Sequence, residues 1–166
     1  MTEHGEPYVK TQHHLTLAAA EAALSGAVAH AESLGVAAVI VVTDAAGGVT
    51  TLARLDGAPP IAIRHALAKA SSASGLKRST DEFLAKRLTT DDVLWRAISG
   101  RGDAFVVQGG FPLAIDGRVV GAIGVATGTH EHDSEIAQAG VTALDTLVGS
   151  RLGAGSVETQ DQIDAE

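Results

Sequence analysis

A chain of 166 residues has room for one domain with its own core, and with aromatics at only 3% that core must be built from Ala, Val, Leu and Ile. The balance of 12 basic against 20 acidic residues leaves a formal charge of −8, which argues against nucleic-acid binding because a phosphate backbone needs a positive footprint. The chain has no cysteine, so disulfides, thiolate nucleophiles and Cys-ligated zinc or iron–sulfur centres are excluded.

The polar opening MTEHGEPYVK has neither the charged start nor the apolar stretch of a secretory signal. No run approaches the ~18 apolar residues that span a bilayer, so a cytoplasmic protein with no membrane partner is expected. Residues 1–13 lack periodicity and read as a flexible N-terminal arm. Thr16 has the character of an N-cap; after it Leu17, Ala20, Leu24, Val28, Ala31 and Leu34 recur at helical steps up to Gly35, with His30 on the flank. Ala37 to Thr43 and Val49 to Leu55 are β-branched runs joined by Asp44-Ala45-Ala46-Gly47-Gly48, the pattern of a hairpin. Pro59 and Pro60 then open a helix that closes at Gly75. Arg64, His65 and Lys69 project from it among small residues, either as a solvated basic face or as a site for an anion or carboxylate.

Ser79 with Glu82 three residues later matches the capping box and predicts a short helix through Leu88. Thr90 caps a further helix, Asp91 to Ser99, in which Trp95 is core or subunit-interface bulk, and Gly100-Arg101-Gly102 ends it. Two apolar runs, Phe111 to Ile115 and Val119 to Val125, flank Asp116-Gly117, the strongest short-range hairpin signal. Gly121 and Gly124 inside the second run imply a close approach, by a ligand or by a tightly packed helix. Thr129 is the expected cap of a final helix whose stripe runs through Ile136, Ala137, Gly140, Ala143, Leu144 and Leu147 and ends near Gly149. Beyond it, residues 151–166 read as a disordered acidic tail. Hairpins in place of βαβ crossovers predict an α+β domain over residues 14–150: a single antiparallel sheet of about five strands flanked by helices. No GxGxxG lies between a strand and a helix, which sets a Rossmann site aside.

Val41 to Gly47, Ala66-Leu67-Ala68-Lys69-Ala70, Gly109-Gly110-Phe111-Pro112-Leu113, Asp116-Gly117, Gly121 to Val125, Asp133 and Ala137 form an ordered set along the chain. Together these segments resemble the GlcG/HbpS-like family, also called the haem-degrading domain family. The resemblance implies an antiparallel sheet flanked by helices, a homo-oligomer, and settings that include haem binding, corrinoid-related proteins and catabolic operons. It also singles out Lys69. Ala126-Thr127 and the histidine-rich His130-Glu131-His132 depart from the usual pattern and point to a specialised site.

His130, Glu131, His132 and Asp133 form the densest polar cluster in the chain. Histidines at i and i+2 fall on different faces of a helix, a poor metal motif, so no metal site is expected. In a first helical turn the macrodipole disfavours imidazolium while the neighbouring carboxylates favour it, a balance suited to a general acid or base. His132, His130, Lys69 and Glu131 are therefore the candidate catalytic residues. Arg64, His65, Gly109, Gly110, Gly124 and Asp133 are the candidate ligand-binding ones. The chemistry expected is cofactor-independent: a lyase, isomerase or hydrolase acting on a small oxygenated anion. The alternative is a module that binds or degrades haem or a related tetrapyrrole. Removing His132 or Lys69 is expected to leave the fold intact, since neither lies in an apolar stripe.

Overall fold

A computed structural model describes residue 8, residues 10–87 and residues 107–161. The expected helix Asp91 to Ser99 with Trp95 lies outside the described residues, as do the first seven residues of the arm and the last five of the tail.

Helix α1 spans Leu17–Leu34, with Thr16 as its N-cap accepting from the Ala19 N–H (3.3 Å) and Gly35 ending it in the left-handed region at φ 66°. Its buried face is Ala20, Ala23, Ala27 and Ala31, not the larger residues of the predicted stripe. The reason is how closely it packs on the last helix, α4 (Asp133–Asp161): a Cβ on Gly26 would stand 2.4 Å from Ala143 Cβ, and one on Gly140 would stand 2.8 Å from Ala23 O. Only small side chains let two backbones come so near. Helix α4 runs past Gly149, where the stripe predicts its end; no proline interrupts it, and it remains helical to Asp161 in the segment read from sequence as an unstructured tail.

The sheet contains β1 (Val39–Asp44), β2 (Val49–Arg54), β3 (Gly110–Ile115) and β4 (Arg118–Ala126) in the order β2-β1-β4-β3, every pair antiparallel. Four strands are present among the described residues, against about five expected. The Asp116-Gly117 turn has positive φ at both residues, 51° and 72°, as a type I′ hairpin requires. In the β1–β2 turn Asp44 Oδ1 accepts from the Ala46 and Gly48 N–H groups (2.8 and 2.9 Å).

Strand β1 is buried on both faces, which explains its unbroken apolar run. Ile40 and Val42 join Leu113, Ile123, Val125, Ile136 and Leu144 in the core beneath α1 and α4. Val39 and Val41 pack on the other face against Ala62 and Ala66 of α2 (Ala62–Leu76). The domain is thus a helix pair, a sheet and a third helix in three layers. A short helix, α3 (Thr80–Arg87), follows α2, and Ser79 caps it as the capping box predicts: the Glu82 N–H donates to Ser79 Oγ at 3.0 Å.

Candidate functional site

Helix α2 lies so low on the sheet that the strands beneath it must be glycine where they cross it. A Cβ on Gly124 would stand 2.1 Å from Ala66 O, and one on Gly110 would stand 2.5 Å from Lys69 O. The close approach expected at Gly124 is therefore made by the helix itself, which leaves no room for a ligand there. Lys69 projects from the underside of α2, and its side chain can only run beneath the helix toward the end of β4. There Nζ donates to Val125 O (2.9 Å) and to Asp133 Oδ2 (2.5 Å). Both charged side chains are at 0% exposure.

Asp133 opens α4, and both of its oxygens are taken. Oδ1 accepts from the Thr127 N–H (2.8 Å) and Thr127 Oγ1 (2.7 Å), while Oδ2 accepts from Lys69 and lies 3.1 Å from His130 Nδ1. Burial by itself would push the Asp133 carboxyl up; the hydrogen bond and charge of Lys69, with the two Thr127 donors, more than offset it and hold the group below its ordinary value. Burial likewise draws the Lys69 ammonium below its ordinary value, against the pull of Asp133 and Asp81. Around this pair the network continues: Asp81 of α3 accepts from the Gly109 N–H (2.9 Å) and from Ser134 Oγ (2.5 Å), and Thr80 Oγ1 accepts from the Gly110 N–H (3.0 Å). Among the described residues no buried side-chain nitrogen or oxygen lacks a partner.

Lys69 is thus no solvated cation and no half of a clamp with Arg64. Arg64 is exposed on the outer side of α2 and His65 is half-buried on its flank, whereas the ammonium is sealed beneath the helix. Gly109 and Gly110 supply backbone N–H groups to Asp81 and Thr80, and a Cβ on Gly109 would stand 2.6 Å from Asp133 Cβ, so both serve packing around the ion pair. His130, Glu131 and His132 lie before α4, not in its first turn as a Thr129 cap would place them. The first intrahelical bond is from the Ile136 N–H to His132 O (3.1 Å), and His130 has φ 65°, which no right-handed helix accepts. The two imidazoles diverge: His130 turns back onto Asp133, while His132 Nδ1 pairs with Glu135, whose other oxygen lies 3.9 Å from His30 Nε2 of α1. Glu131 is exposed in the same bend. Among the described residues no three His, Asp or Glu side chains are disposed to hold a metal ion.

Thr80, Asp81, Thr127 and Ser134 are members of the cluster that the sequence reading did not name as site residues. Asp81 was visible only as an acid in a capping box, a position that needs no tertiary partner. Thr127 had a signal of another kind, since both segments that depart from the pattern this chain resembles, Ala126-Thr127 and His130-Glu131-His132, meet on the Asp133 carboxylate. A cleft of about 480 Å³ between the end of α1 and β2, lined by Glu32, Val36, Arg54 and Asp56 among others, contains none of the expected site residues.

A family model described as haem degrading protein HbpS-like matches residues 15–142. The chain belongs to that family. A crystal structure of a doubly substituted HbpS from Streptomyces reticuli is 32% identical, covers 87% of this chain and 95% of its own, and superposes with a TM-score of 0.72. The haem complex of PduOC is 27% identical with a TM-score of 0.69, over 78% of this chain and 94% of that one. The corrinoid adenosyltransferase PduO of Salmonella typhimurium strain LT2 is 31% identical over 80% of this chain, which spans only 37% of the PduO length. In this HbpS-like chain, then, the Lys69 and Asp133 segments that carried the resemblance form one buried ion pair, and the imidazole bonded to its edge is His130.

Proposed function

We propose that this HbpS-like chain binds haem or a related tetrapyrrole on the surface beside the Lys69–Asp133 cluster, with His130 as the ligand to the iron. The observation that carries the reading is the His130 geometry: a side chain 46% exposed whose Nδ1 lies 3.1 Å from a carboxylate at 0% exposure. An imidazole that donates Nδ1–H to a carboxylate presents an unprotonated Nε2 outward, the tautomer and the carboxylate support that a metal-bound histidine uses. The donor set therefore fits the group. Bound there, haem would supply iron-centred redox and ligand chemistry, while the His130 imidazole, oriented by Asp133, would hold it. A relative solved as a haem complex adds support. A second reading, acid–base chemistry on a small oxygenated anion, draws on the same bond, because a carboxylate-oriented imidazole is also the form of a general base. In that case His130 and not Lys69 would be the base, the lysine having no access to substrate.

A visible-range haem titration tests the assignment. The wild-type chain is expected to give a saturable Soret shift that His130→Ala loses and His132→Ala keeps, since the carboxylate that holds His132 is the exposed Glu135 and not a buried, fixed one. No shift in the wild-type chain, or a shift unchanged in His130→Ala, would defeat it. We further infer a homo-oligomer as the working form, a reading that rests on the Ala-rich core and the apolar side chains left on the surface.

A further inference from the structure

We propose that Thr127 is the positioning residue of this site: by donating its hydroxyl to Asp133 Oδ1, it fixes the tautomer and direction of the His130 imidazole. This deepens the reading of His130 as the ligand-bearing group. Asp133 has to serve two sides at once. Its Oδ2 is shared between the buried Lys69 ammonium and the exposed His130 ring, so the ring receives a well-directed lone pair only if the plane of the carboxylate is held. The last torsion of an aspartate is broad and roughly two-fold and does not hold that plane. What holds it is the pair of bonds on the opposite oxygen, from the Thr127 N–H at 2.8 Å and from Thr127 Oγ1 at 2.7 Å. Two donors from one residue clamp Oδ1 in both directions, and that leaves the free lone pair of Oδ2 facing His130. On the other side His130 stands in the left-handed region at φ 65°, in a bend with Gly128 at φ 91°. Among the described residues its ring takes its direction from the single bond to Asp133.

The hydroxyl can be removed without unburying the ion pair. Thr127 is only half-buried, its N–H remains in any variant, and Lys69 keeps its contact with Asp133. Valine preserves the branched shape and deletes the donor, while serine restores the donor on a smaller side chain.

The test reads the tautomer by ¹⁵N NMR of histidine-labelled, haem-free protein, wild type and variants side by side at one mildly alkaline pH. The wild-type chain and Thr127→Ser are expected to show His130 as the Nδ1–H tautomer. Thr127→Val is expected to show a mixture, together with haem affinity lower by about tenfold or more, the usual effect of losing an outer-shell partner. A Thr127→Val spectrum identical to wild type would overturn the proposal, as would a Thr127→Ser spectrum displaced as far as that of valine. Because the tautomer is read without haem, a chain that takes up no haem defeats the haem reading, and the spectra judge the role of Thr127 separately.

Discussion

The expectation that Lys69 could be truncated without cost to the fold fails on its burial. Removing one partner of a buried ion pair leaves the other charge uncompensated, at a cost of about 3–5 kcal/mol. Lys69→Ala and Asp133→Asn should each lower the melting temperature by roughly 6–20 °C, taking about 2–4 °C per kcal/mol for a chain of this size. The two substitutions are coupled, so the double variant Lys69→Ala/Asp133→Asn should be less damaged than the sum of the single changes, and full additivity in thermal melts would show that the pair is not a unit. The pH dependence has a definite sign. Asp133 sits below its ordinary 3.8 in the folded chain, so its contribution is present above that value and is lost as pH falls through the lower, folded value. The gap in melting temperature between wild type and Asp133→Asn should hold steady from neutral pH to about 4 and close below it. A gap that ignores pH would mean that the carboxylate is not ionised in the folded state.

Glycine decides how the elements stack. Gly124 is a packing residue, since a methyl group there would drive into Ala66 O and the Ala70 N–H (2.1 and 2.6 Å) and lift α2 off the sheet. Overpacking of this kind costs about 1–3 kcal/mol, and because α2 carries Lys69, Gly124→Ala should also loosen the ion pair. Gly75, near the end of the same helix, has nothing within 4 Å of its would-be Cβ and carries no left-handed φ. Gly75→Ala should therefore stabilise the chain by about 0.5–1 kcal/mol by reducing the freedom of the unfolded state. Measured side by side in denaturant melts, two changes of the same sign would show that contact with α2 does not govern Gly124. The short helix α3 is placed in a similar way, by specific bonds more than by bulk: Asp81 and Thr80 tie its start to Gly109, Gly110 and Ser134.

At the scale of the whole molecule, several large apolar side chains remain outside the core: Leu17 (55% exposed), Val49 (54%), Leu52 (40%) and Ile61 (53%). Two of them, Val49 and Leu52, lie on β2, an edge strand of the sheet among the described residues. A homo-oligomer is expected, and light scattering at micromolar concentration that returns the 16.8 kDa of one chain would refute it. No helix among the described residues is long and apolar enough to cross a membrane.

What the sequence determined by itself was local. The Thr16 cap, the Gly35 stop, the Ser79 to Glu82 box and the Asp116-Gly117 turn each depend on residues within a few positions of one another, so their physics is written in order along the chain. The antiparallel α+β class followed from those hairpins, and the ordered motifs of the GlcG/HbpS-like pattern were legible for the same reason. The tertiary structure alone decided what the polar residues do. Lys69 meets Asp133 across 64 positions and Asp81 meets Ser134 across 53, and no periodicity encodes such pairings. A lysine among alanines reads as a solvated cation until the glycines beneath it bring α2 down onto the sheet. Once that happens burial makes an ionised partner obligatory, and the acid at the start of the last helix becomes the buried hinge between that lysine and the exposed imidazole of His130.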